Sequence, residues 1–161
     1  MKRWAIAPLL ALTVLTTAGC EDLFFDDPEH TYPGPPVVEF APVLPAGNYV
    51  RTITFARGAT TNQTSSVRVN YIAEPAAAAV SGQIVRVSTS TAVEGTHYRL
   101  TGGDTYTIPA GANFVDIPVE ILAAGLANGA SVTLVLELAP GQGFGVSEKY
   151  KRFTFTLRKT A

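Results

Sequence analysis

The sequence predicts an all-β domain, an antiparallel β-sandwich of seven or eight short strands. Three observations predict it. Apolar and polar residues alternate with period two in short runs from Tyr49 to Leu157. Turn signals rich in Gly, Pro, Asn and Ser separate those runs. No stretch beyond the leader makes a convincing helix, and the long repeat periods of solenoids are absent.

Taken in order, Val37 to Pro42 is an opening strand bracketed by Pro36 and Pro42, which suggests a sheet edge. In Tyr49 to Ala56, Ile53 and Phe55 fall on one face and Thr52 and Thr54 on the other. Arg57 to Ser65 reads as a polar loop. Val67, Val69 and Tyr71 then alternate with Arg68 and Asn70. Ala73 to Gly82 has four successive alanines but is too short for a stable helix, so it reads as a loop with at most one helical turn. Gln83 to Thr89 is a strand.

After the Gly95 turn come Tyr98 to Leu100, a Thr101–Asp104 turn, and a short strand marked by Tyr106 and Ile108. Pro109-Ala110-Gly111 turns the chain into Val115, Ile117, Val119 and Ile121, which alternate with Asp116, Pro118 and Glu120. Pro118 cannot donate to a ladder, so an edge or bulge is expected there. Leu122 to Ala130 is a small-residue loop. Val132, Leu134, Leu136 and Leu138 form the clearest buried stripe, Pro140 to Gly145 is a wide turn, and Phe153, Phe155 and Leu157 close the core. Each large apolar side chain on the inner faces contributes roughly 1.5–3 kcal/mol when fully buried, enough to hold the domain without disulfides.

The N-terminus sets the compartment. Lys2 and Arg3 precede an uncharged run, Trp4 to Gly19, that ends in Thr17-Ala18-Gly19-Cys20. This is the pattern of a secretory leader, and it is short for a membrane span, which needs about 20 apolar residues. Cys20, the only cysteine, follows Ala-Gly directly and resembles the lipobox of bacterial lipoproteins, although Thr17 stands where Leu is usual. The resemblance implies a signal peptide over 1–19, lipidation of Cys20 and tethering to a bacterial membrane. An outer-membrane site is expected, on the periplasmic face or the cell surface. No cysteine then remains for a disulfide, a thiolate metal site or a nucleophile. Acyl anchoring holds stably once two or more chains insert.

Residues 20–36 carry the lipidated Cys and a tether, and 37–161 the domain. Glu21 to Pro36 holds four prolines and reads as a semi-extended acidic spacer. Its acids next to Cys20 resemble the surface-export signals of Bacteroidetes lipoproteins. Asp26, Asp27, Glu29 and His30 lack the spacing of a metal site and read as a solvated tether. Without Lys2 and Arg3, the 12 basic residues fall to 10 against 13 acidic, and five of those acids lie in Glu21–Glu29. Such a balance gives no global field for nucleic acid.

Thr91 to Tyr98 (TAVEGTHY), followed by Tyr106 to Gly111 (YTIPAG) and Val115 to Val119 (VDIPV), resembles a Calx-beta-like domain, as found in Bacteroidetes lipoproteins of unknown function. The likeness spans about residues 37–158 and is specific over Thr91–Ile121. It implies an immunoglobulin-like sandwich. Calx-beta domains proper can bind calcium through an acidic loop. Here Ile121 to Ser131 has no carboxylate, and His97 stands where Asp is usual. Only Glu94, Asp104 and Asp116 are near in sequence, so no calcium site is carried over.

No catalytic set stands out. A Ser-His-Asp triad would have to join His97 to Ser88 or Ser90 and Asp104, and no G-x-S-x-G elbow is present. His97 reads instead as packing at a sandwich corner or capping a turn. Asp116 and Glu120 lie on one strand face, a poor arrangement for sugar hydrolysis. Gly141, Gly143 and Gly145 follow no strand-to-helix passage of a phosphate loop. Lys149, Lys151, Arg152, Arg158 and Lys159 hold half of the positive charge outside the leader and read as guards of an edge strand. The expectation is a monomeric, non-enzymatic module without cofactor or metal, with an envelope protein or glycan as partner. An envelope or glycan hydrolase accessory protein and a calcium-responsive Calx-beta module are the alternatives.

Overall fold

A computed structural model of the chain describes residues 34–161; the leader, Cys20 and most of the tether lie outside the described residues. Ten strands follow one another: β1 (Val37–Phe40), β2 (Val50–Phe55), β3 (Gln63–Ile72), β4 (Val80–Arg86), β5 (Tyr98–Leu100), β6 (Thr105–Ile108), β7 (Phe114–Ile121), β8 (Ser131–Ala139), β9 (Gly145–Val146) and β10 (Arg152–Lys159). One 3-10 turn, Ala123–Gly125, interrupts the β7–β8 loop, and the described residues contain no α-helix. The strands form two five-stranded sheets, β5-β7-β3-β1-β9 and β2-β10-β8-β4-β6. This is the expected all-β sandwich, with β5 and β9 as short additions to the strand set.

The period-two pattern fixes the faces. Inward rows such as Leu134, Leu136 and Leu138 on β8 and Phe153, Phe155 and Leu157 on β10 are buried, while their neighbours point outward. The facing sheet supplies Val38 and Phe40, Val67 and Val69, and Ile117, Val119 and Ile121. Phe40 meets Phe153 edge-on across the core at 5.7 Å between ring centres.

Partners and boundaries differ from the sequence reading in several places. Two of the eight pairings, β2 with β10 and β1 with β9, are parallel, and the other six are antiparallel. Alternation is the same in both directions, so it carries no sign of this. β1 is not a bare edge. Its outer side is bonded by Gly145 N–H to the Pro36 carbonyl, Ser147 N–H to the Val38 carbonyl, and its own Phe40 N–H to the Tyr150 carbonyl. β3 begins at Gln63, inside the stretch read as a polar loop, because Gln63–Ser66 pair with Pro118–Ile121. Ala73–Ala79 forms no helical turn, and β4 starts at Val80. Its inward row is Val80, Gly82 and Ile84, and the glycine hides the alternation.

β10 lies between β2 and β8, so its basic residues do not guard an edge. Arg152 pairs with Glu137, Arg158 donates to Thr54 Oγ1 at 2.8 Å, and Lys159 is buried. Pro118 sits inside a sheet, at the place where β5 ends. Its carbonyl accepts from Thr101 N–H, and the reciprocal bond is the one a proline cannot make.

Candidate functional site

The stretch Ser90–Tyr98 builds one corner of the sandwich. Ser90 is buried, and its hydroxyl accepts from Val135 N–H at 2.9 Å and donates to the Val135 carbonyl at 3.2 Å. Thr91 Oγ1 accepts from Thr133 N–H, while the N–H groups of Thr91 and Ala92 both donate to the Thr133 carbonyl. Ala92 is fully buried. Val93 N–H donates to His97 Nδ1 at 2.9 Å, and His97 N–H donates back to the Val93 carbonyl at 2.8 Å. Gly95 turns with φ +77°, in the left-handed region that favours glycine. Tyr98 is buried at the end of this turn, and burial first, then the Glu94 carboxylate, raises its phenol above the ordinary value.

The corner is therefore spent on structure. His97 caps its own turn, and Ser90 ties the β4–β5 connection to β8. Asp104 lies beyond β5, where its carbonyl accepts from Ile84 N–H. No hydrogen bond joins His97 to Ser88, Ser90 or Asp104 among the described residues.

The carboxylates on β7 are also engaged. Asp116 takes two bonds from Arg68, at 2.9 and 2.8 Å, and the hydrogen bond from Arg68 holds its carboxyl below the usual carboxylate range. The Arg68 guanidinium also sits 3.9 Å from the centre of the half-exposed Phe114 ring. Glu120 accepts from Asn62 Nδ2 at 2.9 Å and faces Arg99 at 3.8 Å. Positions four apart on a strand are about 13 Å apart, too far for a pair of cooperating carboxyls.

Two open grooves lie near these groups. One, of about 410 Å³, runs between Asn62, Thr96, Arg99, Leu122 and Gly125. It sits where the chain is tightly packed, since a β-carbon at Gly125 would overlap the Thr96 carbonyl oxygen. The other, of about 280 Å³, lies between Leu44, Arg51, Ser66, Asp116 and Phe153. Here β1 has left β3, and Arg51 from the opposite sheet takes its place, donating to Ser65 Oγ (2.8 Å) and the Ser66 carbonyl (2.6 Å). Leu44 stands 80% exposed at its rim.

No group of three or more His, Cys, Asp or Glu side chains among the described residues is placed to hold a metal ion. Gly141, Gly143 and Gly145 lie in the β8–β9 turn and β9, where a β-carbon on Gly141 would overlap the Phe144 ring. Lys149 rests 5.1 Å from the Tyr150 ring centre, and Lys151 pairs with Glu148 at 2.8 Å. Cys20 and the acidic cluster Asp26, Asp27, Glu29 and His30 lie outside the described residues. The sequence reading passed over Arg51 and Ser90 as tie points. The signal for Arg51 was its place in the inward row with Ile53 and Phe55.

The arrangement of strands has known counterparts. The Calx CBD1 domain in its apo form matches with a TM-score of 0.53 and 14% identity, over 80% of this chain and all of that one. The chain carries a Calx-beta-like β-sandwich. A protein of unknown function from Bacteroides ovatus matches with a TM-score of 0.56 and 14% identity, over 76% of this chain and 44% of that one. The chain thus spans less than half the length of that protein. CBD12 from CALX1.2 matches at a TM-score of 0.50 and 14% identity, over 76% of this chain and 44% of that one. No protein-family model matches the sequence, and no curated protein matches it either. At 14% identity, what these structures share with the chain is the fold.

Proposed function

We propose that this chain is a lipid-anchored, extracytoplasmic β-sandwich module of the bacterial envelope that acts by binding, adhesion or spacing and not by catalysis. The observation that carries the reading is the employment of its reactive side chains. His97, Ser90, Asp116 and Glu120 each hold a turn, a strand or a salt bridge, and no hydrogen bond joins any two of them among the described residues. The leader ending at Cys20 supports the anchor, which would sit in the outer membrane, facing the periplasm or the outside. The two grooves and the Leu44 rim are contact surfaces for an envelope protein or glycan.

The anchor is tested by mass spectrometry of the mature N-terminal peptide from a bacterial host. Acyl groups on Cys20 are expected, and Cys20→Ala should move the protein from the membrane to the soluble fraction. An unmodified Cys20 in the membrane-bound protein would reject the anchor. The binding role is tested by a glycan array and by pull-down from envelope extract, with Leu44→Asp and Arg51→Ala as variants that should weaken capture. If neither assay captures anything, spacing is what is left. Turnover of a glycan or ester that is lost on His97→Ala would replace the reading with catalysis.

A further inference from the structure

Among the described residues the second sheet ends at β2, which has a partner on one side only. Thr154 N–H donates to the Tyr49 carbonyl at 2.8 Å and Thr160 N–H to the Phe55 carbonyl at 3.0 Å. Odd-numbered residues of this strand therefore aim their backbone groups at β10, and by strand alternation the even-numbered ones aim theirs away. The N–H and C=O groups of Thr52 and Thr54 face outward, with no partner among the described residues. Val50, Thr52 and Thr54 also have exposed side chains.

Sheet edges are usually blunted by shortness, charge, proline or a bulge. The others here follow that rule. β9 has two residues, β5 has three and carries Arg99, and β6 has four and stops at Pro109. β2 has six residues, an unbroken register with β10, no proline, and no charge in its outward row.

We infer that the β2 edge is a self-association surface, pairing antiparallel with β2 of a second copy of this chain. Around a two-fold axis at residue 52, Thr52 meets its own mate, Val50 meets Thr54, and Arg51 meets Ile53 of the second copy. β-Branched residues facing one another are stabilising cross-strand pairs. A charged outward row would confront its own sign across the axis; this neutral row meets its own copy without that repulsion. The strand's one ion, Arg51, is turned away and bonded to Ser65 and Ser66. The two second sheets then run on as one across the axis. The inference does not rest on the membrane anchor.

Sedimentation of the full-length chain in detergent should give a dimer. Thr52→Lys should give one chain mass with the melting temperature of the isolated fold unchanged, because position 52 is exposed. In a Cys20→Ala background, Thr52→Cys should form a covalent dimer on mild oxidation, since the axis sets residue 52 beside its mate within disulfide reach. Thr107→Cys on β6 should stay monomeric. A monomer throughout the micromolar range, a dimer that survives Thr52→Lys, or cross-linking through position 107 in place of 52 would overturn the inference.

Discussion

The Tyr106 ring lies across Gly82, the residue directly opposite it on the neighbouring strand, so closely that a β-carbon at position 82 would overlap the phenol. The aromatic ring takes the place of the side chain that Gly82 lacks and closes the inner face near the β6 edge. The closure leaves the Tyr106 hydroxyl buried with no hydrogen-bond partner among the described residues. A buried, unpaired hydroxyl costs about 1–3 kcal/mol. Tyr106→Phe keeps the ring and removes that cost, so it should raise the melting temperature by roughly 4 °C for each kcal/mol regained. Gly82→Ala should lower stability by about 1–3 kcal/mol through overpacking. In a Tyr106→Ala background the same glycine change should cost little, and additive losses would show that the two residues do not share this contact.

Alkaline pH should act through the same phenol. Burial pushes the Tyr106 pKa up to about 12 from 10.0. Above pH 10 the unfolded chain releases this proton while the folded domain keeps it, so the unfolded state binds fewer protons and stability falls as pH rises. The contribution is fully present below pH 10 and is lost by about pH 12, a loss of about 2–3 kcal/mol from this residue. Tyr98 and Tyr49 are also raised by burial and add in the same direction. Urea midpoints measured from pH 8 to 12 should fall, and Tyr106→Phe should flatten part of the fall. An unchanged slope in that variant would place the alkaline sensitivity elsewhere.

Ser90 anchors the corner from inside. Its hydroxyl serves both backbone groups of Val135, on a strand at the centre of the second sheet. Ser90→Ala leaves the Val135 N–H without its partner, while the Val135 carbonyl keeps the Val87 N–H, and should destabilise by about 1–3 kcal/mol. Ser88→Ala, in the same Ser-Thr run, is the control and should change little. Denaturant titration of the two variants separates them, and equal effects would mean that the corner is held by the remaining bonds, from Val87 to Val135 and from Thr91 and Ala92 to Thr133.

Facing was legible in the sequence wherever the inward row carries large side chains. Leu134, Leu136 and Leu138, or Phe153, Phe155 and Leu157, announce their strands because burial of each is worth kilocalories. The signal failed where the inward position holds a glycine, as at Gly82, or where a strand is held by its neighbour and not by a core, as at Gln63–Ser66. Neighbour and direction were not legible, because a period of two is identical in parallel and antiparallel ladders. This is why the basic residues of β10 read as guards of an edge that belongs to β2. At the candidate site, His97 read as packing at a corner or capping a turn, and its bond from Val93 N–H makes it a turn cap. Arg51, an ion in an apolar row, was visible but its role depends on β1 leaving β3, which is tertiary.

Calcium should leave the domain unmoved. The Calx-beta-like likeness raises the question, and the side chains answer it. Calcium takes six to eight oxygen ligands, and a sensor site needs several carboxylates free to turn toward it. Asp116 is locked to Arg68 through both oxygens, Glu120 is shared by Asn62 and Arg99, and the Leu122–Ala130 loop has no carboxylate to offer. Glu94 and Asp104 remain, on opposite sides of β5 in the chain. A site with a Kd of about 10 μM would add about 2.7 kcal/mol at 1 mM calcium and move the melting temperature by several degrees. The expected shift between calcium and EDTA is zero. A rise that Glu94→Gln removes would mean that backbone carbonyls at the Gly95 turn supply the missing ligands.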